Sequence, residues 1–474
     1  MLSVVAPFNA SLFTPNSCLS TAFYGNYQEG GTVLSILRPD RECLDTWTSH
    51  TLASSAHIIE TTRDIKQLVW VEEEAVDAAL KAQTRPFGDE FDAFLDTLST
   101  YEPTFIRSDT SLQEVMDNAH HQGGFEVLYR SPKAALLSVD HATAMSIDTL
   151  LPRFWKSTLL PTNPIPYVPV PSSRLKHAEQ VLANLRFDPV IASIVGNISI
   201  PQINNDVRFL TGEDKNSGII SRHSFSSGAR TAAAWLKERF EETGATCELK
   251  PFLTGFVPNV VCRYPSIRDT TATFILGAHY DSRGSFGSLH APGGDDDGSG
   301  TAALLSIART IKRKGIKFLS NVELVAFAGE EQGLLGSRAY SRELREANAN
   351  VTVMIQADML AYREPGEPPQ LGLPDVIGSP IVTQLVANVS AIYSPELHVG
   401  FTPACCSDHQ SFHEQGFPAT QVFERAGPIA DPMYHNSDDL SERIGYDLAQ
   451  LKSIAKVQFA TLLHTAGYKL ASAD

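Results

Sequence analysis

Three clusters of acidic and imidazole side chains each close or follow an apolar run. His279 and Asp281 end TATFILGAHYD, Asp295, Asp296 and Asp297 sit in APGGDDDGSG, and Glu330 and Glu331 follow NVELVAFAG. Imidazole and carboxylate without thiolate suit a divalent cation such as zinc, and two ions sharing one carboxylate can activate water for hydrolysis. In His279-x-Asp281 the aspartate is spaced to accept from the ring nitrogen that does not bind metal. Three adjacent aspartates repel unless a cation or donors compensate them, and the flanking glycines indicate a constrained turn. Of two adjacent glutamates, one can bind metal while its neighbour takes a proton from the attacking water, its pKa raised by partial burial. Asp358 in QADM and His435 in MYHNSDD are further ligands of the same type. Each motif alone also has a plain structural explanation, since acidic residues favour helix N-termini and a lone Asp or His commonly serves packing.

The elements that must position these groups are legible as patterns. TATFILGA, NVELVAFAG, VTVMIQA and ATQVFE are apolar at nearly every position and are separated by helical stretches such as SGTAALLSIARTIKRKG. That alternation predicts an α/β fold with a mainly parallel sheet covered by helices on both faces. Ligand sites in such sheets lie beyond the carboxyl ends of the strands, where the clusters fall. TCELKPF and NVVCRYP predict a hairpin flanked by Cys247 and Cys262, and Ser226 or Ser227 is placed to cap a helix that Gly244 stops. Helices are also predicted over 174–185 and 200–210.

Upstream, the first sixty residues show no sustained periodicity; QLVWV then predicts a strand, VEEEAVDAALKA a helix and DEFDAFLDTL a second helix. Pro161, Pro164, Pro166, Pro169 and Pro171 make a stiff connector. The expected organisation is an N-terminal extension, 1–185, with a Pro-rich linker near 159–173, and a second domain, 186–474. No internal repeat is evident.

A chain of 474 residues exceeds one ordinary core, and a formal charge of -16 argues against nucleic acid or an anionic membrane as partner. No run of about 18 apolar residues occurs, so no membrane span is expected. The N-terminus lacks the basic start and long apolar run of a signal peptide, yet six cysteines and the acceptors Asn9, Asn197, Asn350 and Asn388 point to the secretory route. Two decoys are set aside. His409 and His413 imitate an HExxH helix, but Gln410 stands at the base position, and GSG around Ser299 lacks the G-x-S-x-G elbow of a serine hydrolase.

In order, HYD, APGGDDDGSG, AGEEQGLLGS, QADM, CSDHQSF and MYHNSDD resemble the dizinc aminopeptidase family typified by bacterial and fungal leucine aminopeptidases, from about Ile200 to the C-terminus. The resemblance implies one zinc on His279, Asp296 and Asp358, a second on Asp296, Glu331 and His435, Glu330 as general base and Asp281 as partner of His279. It implies a single α/β domain with a mixed eight-stranded sheet and hydrolysis of the first bond of peptides or proteins with a free N-terminus, whose amino group one metal binds. Met359, Phe423 and Tyr434 would line a pocket for an apolar residue such as Leu. A monomer is expected. A faint match around LVWVEEEAV to precursor regions of fungal relatives implies a pro-segment, removed in or after the Pro-rich region; the alternative is a permanent accessory domain. Competing readings are a single-zinc enzyme like glutaminyl cyclase and a non-catalytic binding domain of the same fold; the intact ligand set favours the peptidase. One departure concerns the pocket: relatives often carry a disulfide-closed CGYAC loop, whereas this chain has TPACC, with Thr402 in place of the first cysteine. Cys406 is then either free or joined to Cys405 in a strained ring.

Overall fold

Alternation with a period of two organises the first third of the chain. In the strand Gln67–Glu73, Leu68 and Trp70 face one core while Val69 and Val71 face another; in Leu2–Pro7, Val5 is separated in the same way from Val4 and Ala6. A computed structural model describes residues 2–14, 17–48, 56–60, 66–101, 124–285, 288, 290–404 and 406–470. Its first elements are β1 (Leu2–Pro7), α1 (Cys18–Thr21), β2 (Phe23–Glu29), β3 (Thr32–Leu37), α2 (Arg41–Thr48) and β4 (His57–Glu60). There follow β5 (Gln67–Glu73), α3 (Ala78–Lys81), α4 (Phe87–Thr100), β6 (Glu126–Arg130), β7 (Ala134–Val139), α5 (His141–Ser146) and β8 (Trp155–Leu159).

These form two antiparallel sheets of the same order, β2-β3-β1-β4 and β6-β7-β5-β8. Each is a β-α-β-β-α-β arrangement of ferredoxin-like topology, the second with an added helix. The sheets pack face to face through Val5, Tyr24, Leu34, Trp70 and Leu136, with helices on the two outer faces. Trp70 is fully buried and its Nε1 donates to Gln28 O of the other sheet at 2.8 Å. Cys18 and Cys43 join α1 to α2 by a disulfide. The repeat lies in topology; the sequence carries no visible trace of it. The predicted helix over VEEEAVDAALKA survives only as α3, because β5 runs on to Glu73 and buries Glu72 against Trp70 Nε1.

Beyond the prolines come α6 (Ser172–Ala183), α7 (Pro189–Val195), α8 (Ile200–Thr211), α9 (Ser227–Glu241), β9 (Thr246–Lys250), β10 (Asn259–Tyr264), β11 (Thr273–His279) and α10 (Gly298–Lys314). β12 (Ile316–Phe318), β13 (Asn321–Phe327), α11 (Leu335–Glu346), β14 (Val351–Ala357), β15 (Gln370–Pro374), α12 (Pro380–Tyr393), β16 (His398–Thr402), α13 (His409–Glu414), β17 (Ala419–Val422), α14 (Leu448–Ala466) and β18 (Tyr468–Leu470) complete the chain. The principal sheet has the order β17-β14-β11-β13-β10-β9, parallel from β17 to β13 and antiparallel at the β10 and β9 edge. The hairpin β9–β10 carries the disulfide Cys247–Cys262. Ser226 Oγ accepts from Ala229 N at the start of α9, and Gly315, at φ 60, ends α10 after Lys312, Arg313 and Lys314 complement its dipole.

The expectation of one mainly parallel eight-stranded sheet is corrected here: among the described residues the central sheet is mixed and has six strands, and the other sheets are small and mostly antiparallel. β15 and β16 pair in parallel with each other, and β15 joins the central sheet's end by the isolated antiparallel bridge Gly372–Phe423 and not by a continuous ladder. β17 is four residues long, so its ladder ends before β15 can extend it. The class remains α/β, with a core of helices and sheet on one face and a smaller cluster around Phe327, Tyr340 and Phe412 on the other.

Candidate metal centre

His279 is the last residue of β11, Asp358 follows β14 directly, and Glu330 and Glu331 stand just past the end of β13. Because these strands are parallel neighbours, their carboxyl ends lie side by side and residues distant in sequence meet. Asp296 enters from the loop before α10, and His435 from the loop after β17. His279 Nε2 lies 3.1 Å from Asp296 Oδ1 and 3.8 Å from Asp358 Oδ1; His435 Nε2 lies 3.2 Å from Asp296 Oδ2 and 3.0 Å from Glu331 Oε2. Two groups that could hold a metal ion result, His279–Asp296–Asp358 and Asp296–Glu331–His435, with Asp296 in both. The donors fit zinc in type. Glu331 Oε1 is buried without a hydrogen-bond partner, and Glu331 Oε2 and His279 Nε2 face only other candidate ligand atoms, an arrangement that is costly unless a cation takes them.

The three consecutive aspartates have three different surroundings. Asp296 alone faces both histidines. Asp297 turns the other way and accepts from the backbone N–H of His279 (3.1 Å), Gly300 (2.8 Å) and Met359 (3.2 Å), so one carboxylate ties β11, the start of α10 and the segment after β14 together. Asp295 Oδ1 accepts from Ala361 N at 2.8 Å. Asp439 accepts from the N–H of Asp295 and Asp296 and so fixes the loop from below. The Asp296–Asp297 peptide is cis, and Met359 and His435 both adopt φ 50, a left-handed conformation that residues with side chains enter only when the surroundings impose it.

Asp281 does more than its spacing suggests. Its Oδ1 lies 3.6 Å from His279 Nδ1, and the carboxylate also accepts from Glu330 N, Glu331 N and Ser224 Oγ. It thereby links the histidine to the backbone that carries both glutamates. Electrostatics separates the carboxylates. Burial opposes ionisation of Asp296, but hydrogen bonds from His279 and His435 outweigh it and hold the group well below the usual range. Glu330 makes no such bond to a histidine; burial pushes it up to about 8, against the pull of Lys156. Burial likewise works against the imidazolium of His435, which the Glu331 charge and Asp296 raise to about 9.

Met359, Phe423 and Tyr434 share one buried cluster with Ala404 and Ile429, and they line a cavity of about 30 Å³ that also reaches Asp296, Glu330 and Asp358. His409 and His413 take no part: burial pulls them down to about 3 and about 4, so both are neutral packing groups. Cys406 lines the cavity and is disulfide-bonded; Cys405 lies outside the described residues. Sequence reasoning missed Lys156, Glu74, Asp148 and Arg283, which also reach this site. Lys156 Nζ is 2.9 Å from Glu330 Oε1, Tyr434 OH donates to Glu74 Oε1 at 3.1 Å, Asp148 pairs with His223 at 2.7 Å, and Arg283 Nη1 is 3.1 Å from His435 Nδ1. Arg283 had a signal in its place two residues past Asp281, and Glu74 lies in the LVWVEEEAV stretch, though nothing there pointed to this site; Lys156 and Asp148 lie in the N-terminal third with no motif around them.

Residues 259–461 match the family model described as Peptidase family M28. Leucine aminopeptidase 1 of Grosmannia clavigera is 29% identical over 315 residues, 61% of this chain and 72% of that protein. A probable leucine aminopeptidase of Arthroderma otae is 27% identical over 296 residues, 60% of this chain and 77% of that one. Among solved structures, the LapA aminopeptidase of Legionella pneumophila superposes with a TM-score of 0.59 at 16% identity, covering 86% of this chain and all of its own (100%). LapB of the same organism gives 0.57 at 18%, covering 85% and 100%. At such identities the likeness is one of fold, and its extent exceeds what the unit beyond the prolines supplies.

Proposed function

Since residues 259–461 are a Peptidase family M28 domain, we propose that this peptidase is a zinc-dependent aminopeptidase that removes apolar N-terminal residues from peptides and proteins. The observation that carries the reading is the pair of His–acid groups sharing Asp296, with Glu330 beside them and outside both. His279, Asp296 and Asp358 would hold one zinc, and Asp296, Glu331 and His435 the other. Bound there, the two ions supply activation of water and polarisation of the scissile carbonyl.

The chain's own residues supply the rest. Glu330, raised toward neutrality by burial, takes the proton of the attacking water and returns it to the leaving amine. Asp281 holds His279 and the Glu330 backbone in register. Met359, Phe423 and Tyr434 offer the apolar wall against which an N-terminal Leu side chain packs. The acidic chain is a monomer acting on free N-termini. Secretion accounts for the disulfides Cys18–Cys43 and Cys247–Cys262 and for the exposure of Asn9, Asn197, Asn350 and Asn388.

The test offers zinc-loaded protein, intact and after proteolytic nicking beside Pro171, a Leu-peptide and its N-acetylated counterpart. Cleavage of the free-amine peptide alone is expected in at least one of the two states. Equal cleavage of both peptides, or of neither in either state, overturns the assignment.

A further inference from the structure

The apolar wall assigned above to the N-terminal side chain ends on a polar floor. Along β17 the side chains alternate between two faces. Thr420 is bonded to Thr383 through the two hydroxyls (2.8 Å), and Val422 enters the main core of helices and sheet. On the opposite face Ala419 belongs to the cluster around Phe327, Tyr340 and Phe412, while Phe423, just past the strand, belongs to the wall with Met359 and Tyr434. Gln421 lies between these two, where the packed core ends, and it lines the cavity beside the metal centre. Only 3% of the residue is exposed, and its Oε1 is buried with no hydrogen-bond partner among the described residues. Ser407, two residues before α13, lines the same cavity; it is 2% exposed and its Oγ is likewise unpartnered. The adjacent strand makes a contrast. Gln356 of β14 is the register partner of Gln421, and its Nε2 donates to Asp408 Oδ2 at 2.9 Å. One amide is held inside the protein, whereas the other is turned to the cavity. An apolar residue of similar length at 421 would finish the wall without leaving a buried amide oxygen unpaired, which is costly.

We propose that Gln421 recognises the tip of the substrate's N-terminal side chain, so that the enzyme also removes N-terminal glutamine. This rests on the aminopeptidase reading and widens its substrates from apolar side chains to those with an apolar stem and a carboxamide end. The methylenes of the substrate glutamine pack on Met359 and Phe423. Its amide then pairs with the floor: Gln421 Oε1 accepts from the substrate NH2, and Gln421 Nε2 or the Ser407 hydroxyl donates to the substrate C=O. Depth favours glutamine over asparagine. Gln356, opposite Gln421, precedes Asp358 by two residues, which sets the floor about 7 Å below the level of the metal ligands. Asparagine, one methylene shorter, stops short of it. The reaction is the same hydrolysis: water adds across the first peptide bond and releases free glutamine and the shortened peptide. A neutral hydrogen-bonded pair of this kind discriminates by about tenfold.

The test gives the zinc-loaded full chain, intact and nicked beside Pro171, four peptides that differ only in an N-terminal Gln, Asn, Met or Leu, with products identified by mass spectrometry. The parent is expected to release free glutamine and to cleave the Gln-peptide faster than the Asn-peptide. In Gln421→Met the ratio of kcat/KM for the Gln-peptide to that for the Met-peptide should fall by about tenfold. Gln421→Leu serves in its place should that variant not fold. An unchanged ratio in a variant that still cleaves the Leu-peptide overturns the proposal and leaves the aminopeptidase reading standing. So does a parent that cleaves the Leu-peptide but leaves the Gln-peptide whole or converts it to the pyroglutamyl form. If no peptide is cleaved in either state, the aminopeptidase reading fails instead, and calorimetric titration with the Gln- and Met-peptides decides the role of Gln421. Tighter binding of the Gln-peptide that is lost in Gln421→Met supports it; equal binding of the two, or none, overturns it.

Discussion

The two halves of this chain use sheets in opposite ways. Among the described residues of the N-terminal unit every strand pairing is antiparallel, so neighbouring strands end at opposite edges. In the second unit β11, β13 and β14 run in parallel, and their carboxyl ends present His279, Glu330, Glu331 and Asp358 to one point. Buried charged groups follow suit: His279, Asp296, Glu331 and His435 of the second unit converge on the candidate metal centre, whereas Glu74, Asp148 and Lys156 of the first face outward onto the second. A parallel sheet concentrates chemistry at one end, and an antiparallel one offers a face and an edge to cover it.

Three substitutions probe that contrast. The largest effect is expected at the convergence point: Glu330→Gln should keep its zinc, since Glu330 lies outside both His–acid groups, while turnover falls by about 10²–10⁴-fold. Zinc content by atomic absorption, measured beside the rate of the nicked enzyme, checks this; a metallated variant with near-normal turnover would remove Glu330 from the base role. Trp70→Ala strikes the face-to-face core of the first unit and should cost about 3–5 kcal/mol of its stability. Denaturant melts of the variant beside the parent protein check this; an unchanged midpoint would remove Trp70 from that core. The smallest effect concerns His413, which burial pulls down to about 4. The unfolded chain binds a proton there near the ordinary value of 6.5, so between about pH 6.5 and 4 the unfolded state holds more protons and stability falls as pH drops, by up to about 1.4 kcal/mol per unit for this ring. His413→Asn should make the urea midpoint less sensitive to pH across that window; an unchanged slope would show that the ring is not neutral in the folded state.

How much was legible follows from where each group sits. His279, Glu330, Glu331 and Asp358 lie within a few residues of strand ends, so apolar runs located them. The role of Asp296 among three aspartates was legible only through resemblance; spacing does not say which carboxylate faces the histidines and which accepts backbone N–H groups. The hairpin that Cys247 and Cys262 flank followed from the apolar runs, while their disulfide was decided by the strand geometry. The ferredoxin-like repeat did not, because its strands are short and their alternation serves two cores at once. The helix predicted from VEEEAVD failed for a related reason: Glu72 and Glu74 carry strand-compatible burial that no propensity reveals.

By itself, then, the sequence determined the α/β class, the strand ends that carry the chemistry and the types of ligand offered, because these depend on residues adjacent along the chain. Only the tertiary structure decided that the central sheet has six strands, that Asp297 and Asp439 hold the loop while Asp296 faces the site, and that Lys156 stands on Glu330. Those outcomes depend on groups far apart in sequence, 174 residues in the case of Lys156 and Glu330, whose meeting is set by how two separately cored units dock.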